Sequence, residues 1–292
     1  MRIPSNKIDD VIAFFQEELK GRYSEYEIKS FVFQAFEYYT HRSKAKLLAE
    51  KSTGRLSESE ILSLFNCIKD LRRYKPIQYI FGKMDWFEMQ LHVNESVLIP
   101  RPETEELAQI ISLEHQGQNP SVFWDVCTGS GCLALAMKKS FPEATVFGTD
   151  ISDEALEIAC ENQKHNSLDV YFEKADIFDS QCYNKFPPPQ IILSNPPYVT
   201  ESQKSKMHKN VLDWEPHLAL FVNDNDALIY YNAIRKLAEL YLQEGGVIYL
   251  EINELLFFET AGIFEKSCFV NVRILNDFRG KPRFIVAVKQ SC

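Results

Sequence analysis

An α/β fold built on a parallel, doubly wound sheet, with a small all-helical domain in front of it, is predicted by three observations. Apolar residues recur at helical spacing from Ile8 to about Tyr74. From VFWDVC to QIILSN, short apolar strands alternate with helical stretches, the pattern of βαβ units. The closing segments VNVRILND and RFIVAVK face each other across FRGKP as an antiparallel pair. A length of 292 residues suits a domain of ~200 residues with a smaller companion. The expected boundaries are 1–75 for the helical domain, 76–100 for a β-hairpin linker and 101–292 for the α/β domain.

In the helical domain the periodic positions are Ile8, Val11, Ile12, Phe14 and Phe15; then Ile28, Phe31, Val32, Ala35, Phe36 and Tyr39; then Ile61, Leu64, Phe65, Ile68 and Leu71. Polar turns near Gly21-Arg22 and Ser52-Thr53-Gly54 separate them. Between Pro76 and Pro100 the pattern changes to alternating runs, IQYIFG and WFEMQLHV, read as the two strands of the hairpin. Pro102 and the acids of PETEELAQIISL open a helix. VFWDVC, TVFGTD, VYFEKAD and QIILSN are strands, with helices from about Gly131 and Asp153 between them. The polar stretch Asn195 to Asp226 lacks periodicity, and loops of that length usually perform a function. A helix from Ala227 to Leu242, a strand from Val247 to Ile252 and another helix complete the order.

Composition narrows the functional classes. With 45% of residues hydrophobic and 13% aromatic, the chain buries a sizeable core and is not a disordered protein. Apolar runs such as Val247 to Leu250 are too short to span a bilayer. Asp9 and Asp10 precede any long apolar stretch, so the amino terminus resembles neither a secretory signal nor a transit peptide, and a cytoplasmic location is expected. Seven scattered cysteines with no C-x-x-C spacing predict neither a disulfide framework nor a zinc site, and six dispersed histidines predict no protein-held metal. Residues 1–75 hold 14 Lys+Arg against 11 Asp+Glu, or +3; the remainder hold 18 against 30, or −12, which together give −9. The larger part is a poor candidate for wrapping nucleic acid, because phosphate contacts need concentrated Lys and Arg.

Three motifs carry chemistry. Asp125-Val126-Cys127-Thr128-Gly129-Ser130-Gly131 lies where the first parallel strand turns into a helix; glycines there let a ligand approach the backbone, and the helix start offers unpaired N–H donors. The match to G-x-G-x-x-G is incomplete, since Cys127 occupies the first glycine position. Nineteen residues beyond Gly131, Asp150 ends the second strand, the spacing at which a carboxylate accepts both hydroxyls of a ribose. Ser152 or Asp153 can cap the following helix, which leaves Asp150 free for that role. Asp176 and Ile177, after the third strand, are candidates for an adenine amino group and ring face. Last, Ser194-Asn195-Pro196-Pro197-Tyr198 follows the strand QIILS as a stiff extended turn. There the Asn195 side-chain carbonyl and the Pro196 main-chain carbonyl are two acceptors for a planar NH2 group, with Tyr198 as an aromatic wall.

NPPY after the fourth strand resembles the signature of S-adenosylmethionine-dependent methyltransferases that act on planar NH2 groups. PIQYIFG, VLIPRPETEEL, DVCTGSG, SNPPYV, EPHLAL and DFRGKPR, in that order behind a helical domain, resemble the PrmC/HemK family of protein-(glutamine-N5) methyltransferases over nearly the whole chain. The resemblance implies a Rossmann-like methyltransferase sheet, S-adenosyl-L-methionine as cofactor, and the glutamine of the Gly-Gly-Gln loop of peptide chain release factors as substrate. It implies that Cys127, Thr128, Gly129, Ser130, Gly131, Asp150, Ile177 and Asn195 bind the cofactor. Asn195 and Pro196 would be catalytic, and Asn195, Pro196, Pro197 and Tyr198 would hold the substrate glutamine. A monomer with no nucleic-acid or membrane partner is expected, its helical domain docking the release factor. The rival readings are the related ribosomal-protein glutamine methyltransferase, a nucleic-acid adenine N6-methyltransferase, and a cofactor-binding adaptor without catalysis.

Overall fold

The computed structural model describes residues 5–291, which form two compact units. The first runs to Gly82 and also takes in His208–Trp214. Its helices are α1 (Ile8–Leu19), α2 (Glu25–Thr40), α3 (Lys44–Glu50), α4 (Glu58–Leu71) and α5 (Ile77–Phe81). Ser24 and Ser57 open α2 and α4 with reciprocal capping boxes, each hydroxyl accepting from the backbone three residues on while Glu27 or Glu60 reaches back. Phe15, Phe36, Leu64 and Leu71 fill the core of this unit, with Phe31, Phe33 and Tyr39 packed against it. The aromatic run of α2 is thus core and not a binding stripe. Trp214 joins the unit by donating its indole N–H to the Arg73 carbonyl at 2.9 Å, and Lys75 Nζ lies 4.9 Å from its ring centre.

The run IQYIF is a helix, contrary to the strand expected of it. Pro76 sets the entry with φ −55°, and Gly82 closes the turn in the left-handed region at φ 69°. Over five residues an apolar run fits either period, so its start and stop residues decide its conformation. Tyr38 reinforces the choice by donating to the Phe81 carbonyl at 3.0 Å.

The second unit spans Lys83–Met207 and continues from Glu215. The hairpin is β1 (Lys83–Trp86) and β2 (Met89–His92), turned by Phe87 and Glu88, which both adopt positive φ (49° and 52°) as a two-residue connection requires. There follow α6 (Pro102–Glu114), β3 (Val122–Val126), α7 (Cys132–Ser140), β4 (Thr145–Asp150), α8 (Asp153–Asn166), β5 (Tyr171–Lys174), β6 (Ile191–Ser194) and β7 (Val199–Thr200). After α9 (Lys209–Trp214) in the first unit come β8 (Phe221–Val222), α10 (Ile229–Tyr241), β9 (Val247–Glu251), α11 (Phe257–Glu265), β10 (Phe269–Asn276) and β11 (Pro282–Lys289). Seven strands form one sheet in the order β10-β11-β9-β6-β3-β4-β5. Only β11 runs against the rest, since it pairs antiparallel with both neighbours while the other pairings are parallel.

That order fixes where a ligand fits. The chain moves outward from β3 through β4 to β5, then returns to place β6 on the other side of β3. The connections leaving β3 and β6 diverge to opposite faces, which opens a crevice at their carboxyl ends. Both strands are almost wholly buried, with α6 and α7 packing residues such as Leu107 and Leu133 on one face and α10 and α11 packing Leu237 and Phe264 on the other. A rigid, doubly covered sheet therefore presents two loops at one edge.

Among the described residues no helix is long and apolar enough to cross a membrane, and no group of three His, Cys, Asp or Glu could hold a metal ion. Cys67, Cys127, Cys132, Cys160 and Cys182 carry free thiols. Cys268 is disulfide-bonded, against the expectation from spacing, and Cys292 lies outside the described residues. The Cys268 carbonyl accepts from Gln290 N at 2.8 Å, which sets the residue after β11 beside the start of β10.

Candidate active site

Between β3 and α7 the backbone enters the left-handed region at every second residue: Cys127 at φ 61°, Gly129 at 54° and Gly131 at 79°. Gly131 admits no side chain, because a Cβ there would sit 2.7 Å from Phe172 Cζ. Cys127 keeps its side chain at a strain of roughly 1–2 kcal/mol, the usual cost of that conformation without glycine. Desolvation, then the Asp150 and Asp125 carboxylates, push the Cys127 thiol well above its ordinary pKa, so it is a neutral group and not a thiolate nucleophile.

Asp125 braces this turn from beneath. Its Oδ2 accepts from the Thr128 hydroxyl at 2.5 Å and from Ala134 N at 3.0 Å. Its Oδ1 is buried with no hydrogen-bond partner among the described residues, and burial pushes the carboxyl up to about 7 against the pull of those donors. Asp150 braces it from the side, Oδ2 accepting from Gly129 N at 2.9 Å and Oδ1 from Ser152 N at 3.1 Å. Ser152, not Asp150, caps α8, its hydroxyl accepting from Ala155 N at 3.1 Å. Asn162, fully buried on α8, donates to the carbonyls of Ser130 at 2.9 Å and His92 at 3.1 Å, tying the turn to the hairpin.

A cavity of about 310 Å³ opens between the two loops. Of the residues singled out in the sequence, Cys127, Thr128, Gly129, Ser130, Asp150, Ile177, Asn195 and Pro197 line it, as does Asp176. Gly131, Pro196 and Tyr198 do not. On the β6 side, Ser194 donates its hydroxyl to the Val126 carbonyl, locking the two strand ends together. Asn195 Nδ2 donates to Thr104 Oγ1 at 3.0 Å, Thr104 donates to Glu251 Oε2 at 2.7 Å, and Tyr198 donates to Glu251 Oε1 at 2.8 Å. Glu251 ends β9 and is buried. Arg101, Glu103 and Glu105 do not line the cavity: Arg101 pairs with buried Glu215 at 2.6 Å, Glu103 with Arg279 at 3.7 Å, and Glu105 accepts from Phe87 N at 3.0 Å.

The family described as Methyltransferase small domain matches residues 105–214. A curated release factor glutamine methyltransferase from Flavobacterium psychrophilum is 40% identical over 93% of this chain and 95% of its own. One from Streptococcus pneumoniae is 39% identical over 96% and 98%, and one from Bacteroides thetaiotaomicron is 41% identical over 80% and 82%. The chain belongs to the release factor glutamine methyltransferase family.

For a methyltransferase of this family, local motifs in the sequence mark the turn after β3, the acid ending β4 and the turn after β6. They miss Thr104 and Glu251, and give no hint that Asp125 keeps an unengaged oxygen. A signal for Glu251 was available, because it is an acid ending an apolar strand, the same feature that marks Asp150. Thr104 sits between two acids in a first helical turn, where a small polar residue is unremarked.

Proposed function

We infer that this protein transfers a methyl group from S-adenosyl-L-methionine to the side-chain amide nitrogen (N5) of the glutamine in the Gly-Gly-Gln loop of class 1 peptide chain release factors. The observation that carries the reading is the turn Asn195-Pro196-Pro197-Tyr198 after β6, whose Asn195 and Pro197 line one cavity with Cys127, Thr128, Gly129 and Ser130 of the turn after β3. The names of the relatives favour a release factor over a ribosomal protein. The −12 balance after residue 75 disfavours a nucleic-acid substrate.

The residues present fit the methyl donor. Asp125 Oδ1 suits the methionine ammonium, since leaving a buried acceptor unengaged costs ~1–3 kcal/mol and a cation there offsets it. The left-handed turn Cys127, Thr128, Gly129, Ser130 and Gly131 would hold the methionine part through its backbone, Asp150 would accept the ribose hydroxyls, Asp176 would accept from the adenine amino group, and Ile177 would contact the ring. When bound, the donor would supply an electrophilic methyl group with a neutral thioether as its leaving group.

The chain's own residues do the rest. An amide nitrogen is a weak nucleophile because its lone pair is delocalised into the carbonyl. Asn195 Oδ1 and the Pro196 carbonyl accept its two hydrogens, orient the nitrogen and enrich its electron density, while Pro197 and Tyr198 confine the side chain. Positioning at near-attack distance provides most of the rate. No general base is required, because the nitrogen becomes strongly acidic once methylated and then loses its proton. The helical unit docks the folded factor, the enzyme acts as a monomer in the cytoplasm, and no metal takes part.

Removing the Asp150 carboxylate should weaken cofactor binding by roughly 1.5–3 kcal/mol, the range for hydrogen bonds to a charged group. Calorimetry on Asp150→Ala reads it, and unchanged affinity would place the ribose elsewhere. The function itself is tested by offering labelled S-adenosylmethionine with an intact release factor, a ribosomal protein and nucleic acid in parallel. Label in the release factor alone is expected; label in either of the others instead overturns the assignment.

A further inference from the structure

We propose that Glu251 is a positioning residue for methyl transfer, setting through Thr104 which end of the Asn195 amide faces the cavity and, through its other oxygen, where Tyr198 stands. The proposal rests on the reading of Asn195 as an acceptor for the substrate NH2 and adds what makes it one.

The chemistry of the chain of contacts is directional. Thr104 and Tyr198 each donate a hydroxyl hydrogen to Glu251, at 2.7 and 2.8 Å, so the carboxylate is the acceptor for both. With its hydrogen committed, Thr104 Oγ1 has only lone pairs left for Asn195, 3.0 Å away. The Asn195 group facing Thr104 must therefore be the NH2, and Oδ1 is left for the substrate. This assignment follows from donors and acceptors alone, which is how amide orientations are decided. Each bond in the row polarises the next, so the Asn195 carbonyl becomes a better acceptor.

Three elements converge to make the row: Thr104 on α6, Asn195 and Tyr198 after β6, and Glu251 ending β9. Glu251 is 1% exposed and Thr104 2%, so water does not compete for either. Burial raises the Glu251 pKa while Thr104, Tyr198 and then Arg283 on β11 oppose that, and Glu103 adds to it. Tyr231 on α10 donates to the Glu251 main-chain carbonyl at 3.3 Å and so leaves the carboxylate to its two hydroxyl partners.

The test separates positioning from packing. Thr104→Val keeps the shape and removes both hydrogen bonds; kcat for release-factor methylation should fall ~10–100-fold, with cofactor affinity within about twofold of wild type. Glu251→Gln should do the same, because a glutamine NH2 turned toward Thr104 reverses the row and draws Asn195 Oδ1 inward. Thr104→Ser restores the hydroxyl and should recover most of the rate. In an Asn195→Ala background, Thr104→Val should cost nothing further, since its effect passes through Asn195. Wild-type kcat in Thr104→Val, failure of serine to rescue, or full additivity in the double variant would each overturn the proposal. A readout free of the acceptor's identity is the side-chain NH2 of Asn195 followed by 15N NMR. Protection from exchange in wild type that is lost in Thr104→Val supports the positioning role, and protection that survives contradicts it. If the wild type labels no release factor, the functional reading fails, while this NMR result still decides the proposal.

Discussion

Replacing Asn195 by alanine should lower the rate of methyl transfer by roughly 10²–10³ while leaving the protein folded and the cofactor bound, the loss seen when one preorganised polar group is removed from a reaction centre. The side chain lies after the end of β6 and contributes one hydrogen bond, to Thr104, so the sheet beneath it does not depend on it. Aspartate is not a rescue. It would set an oxygen against Thr104 Oγ1, whose hydrogen is already given to Glu251, and bring a second negative charge toward that buried carboxylate. Asn195→Asp should therefore fall close to alanine. Single-turnover kinetics with saturating cofactor checks both variants, and full activity in Asn195→Ala would remove the acceptor role.

The second large effect concerns the division of labour between the two units. An intact release factor should be methylated with a kcat/KM at least ~10² above that of a short Gly-Gly-Gln peptide, because docking energy collected far from the reacting amide is lost to the peptide. That factor corresponds to ~2.7 kcal/mol, within reach of a small contact surface. Deleting residues 1–75 is a poor way to locate the surface, since His208–Trp214 belongs to the same compact unit and Trp214 would lose its Arg73 partner. Reversing the exposed charges of Arg22, Arg73 and Lys209 is the cleaner change. It should reduce the preference for the intact factor, and raising salt on wild type should do likewise, as exposed charges are screened over ~10 Å at 0.1 M. Equal rates for peptide and intact factor would show that the helical unit does not dock the substrate.

What could be read from the sequence was local. DVCTGSG, FGTD and SNPPY each place their chemistry within a few residues of a strand end, and the alternation of strands with helices puts those ends on one edge of a sheet. What could not be read depends on pairs distant in the chain. Thr104 and Glu251 are 147 positions apart, and neither has a neighbour in sequence that betrays the other. The return of His208–Trp214 to the helical unit, from within a stretch that shows no periodicity, is hidden for the same reason. The helix Ile77–Phe81 was illegible for a different cause, since a run of only five residues, four of them apolar, satisfies either period and the decision falls to Pro76 and Gly82. Cys127 lies between these cases. The departure from glycine is plain in the sequence, but its consequence, a strained residue at φ 61° lining the cavity, needs the backbone.

The most direct measurement of the central claim is to incubate the protein with isotopically labelled S-adenosylmethionine and a purified class 1 release factor, digest the factor and locate the added methyl by tandem mass spectrometry. The account predicts one methyl, on the N5 nitrogen of the glutamine in the Gly-Gly-Gln loop, and none when that glutamine is replaced. A methyl on any other residue, or an unlabelled factor under conditions where the cofactor is bound, would contradict it.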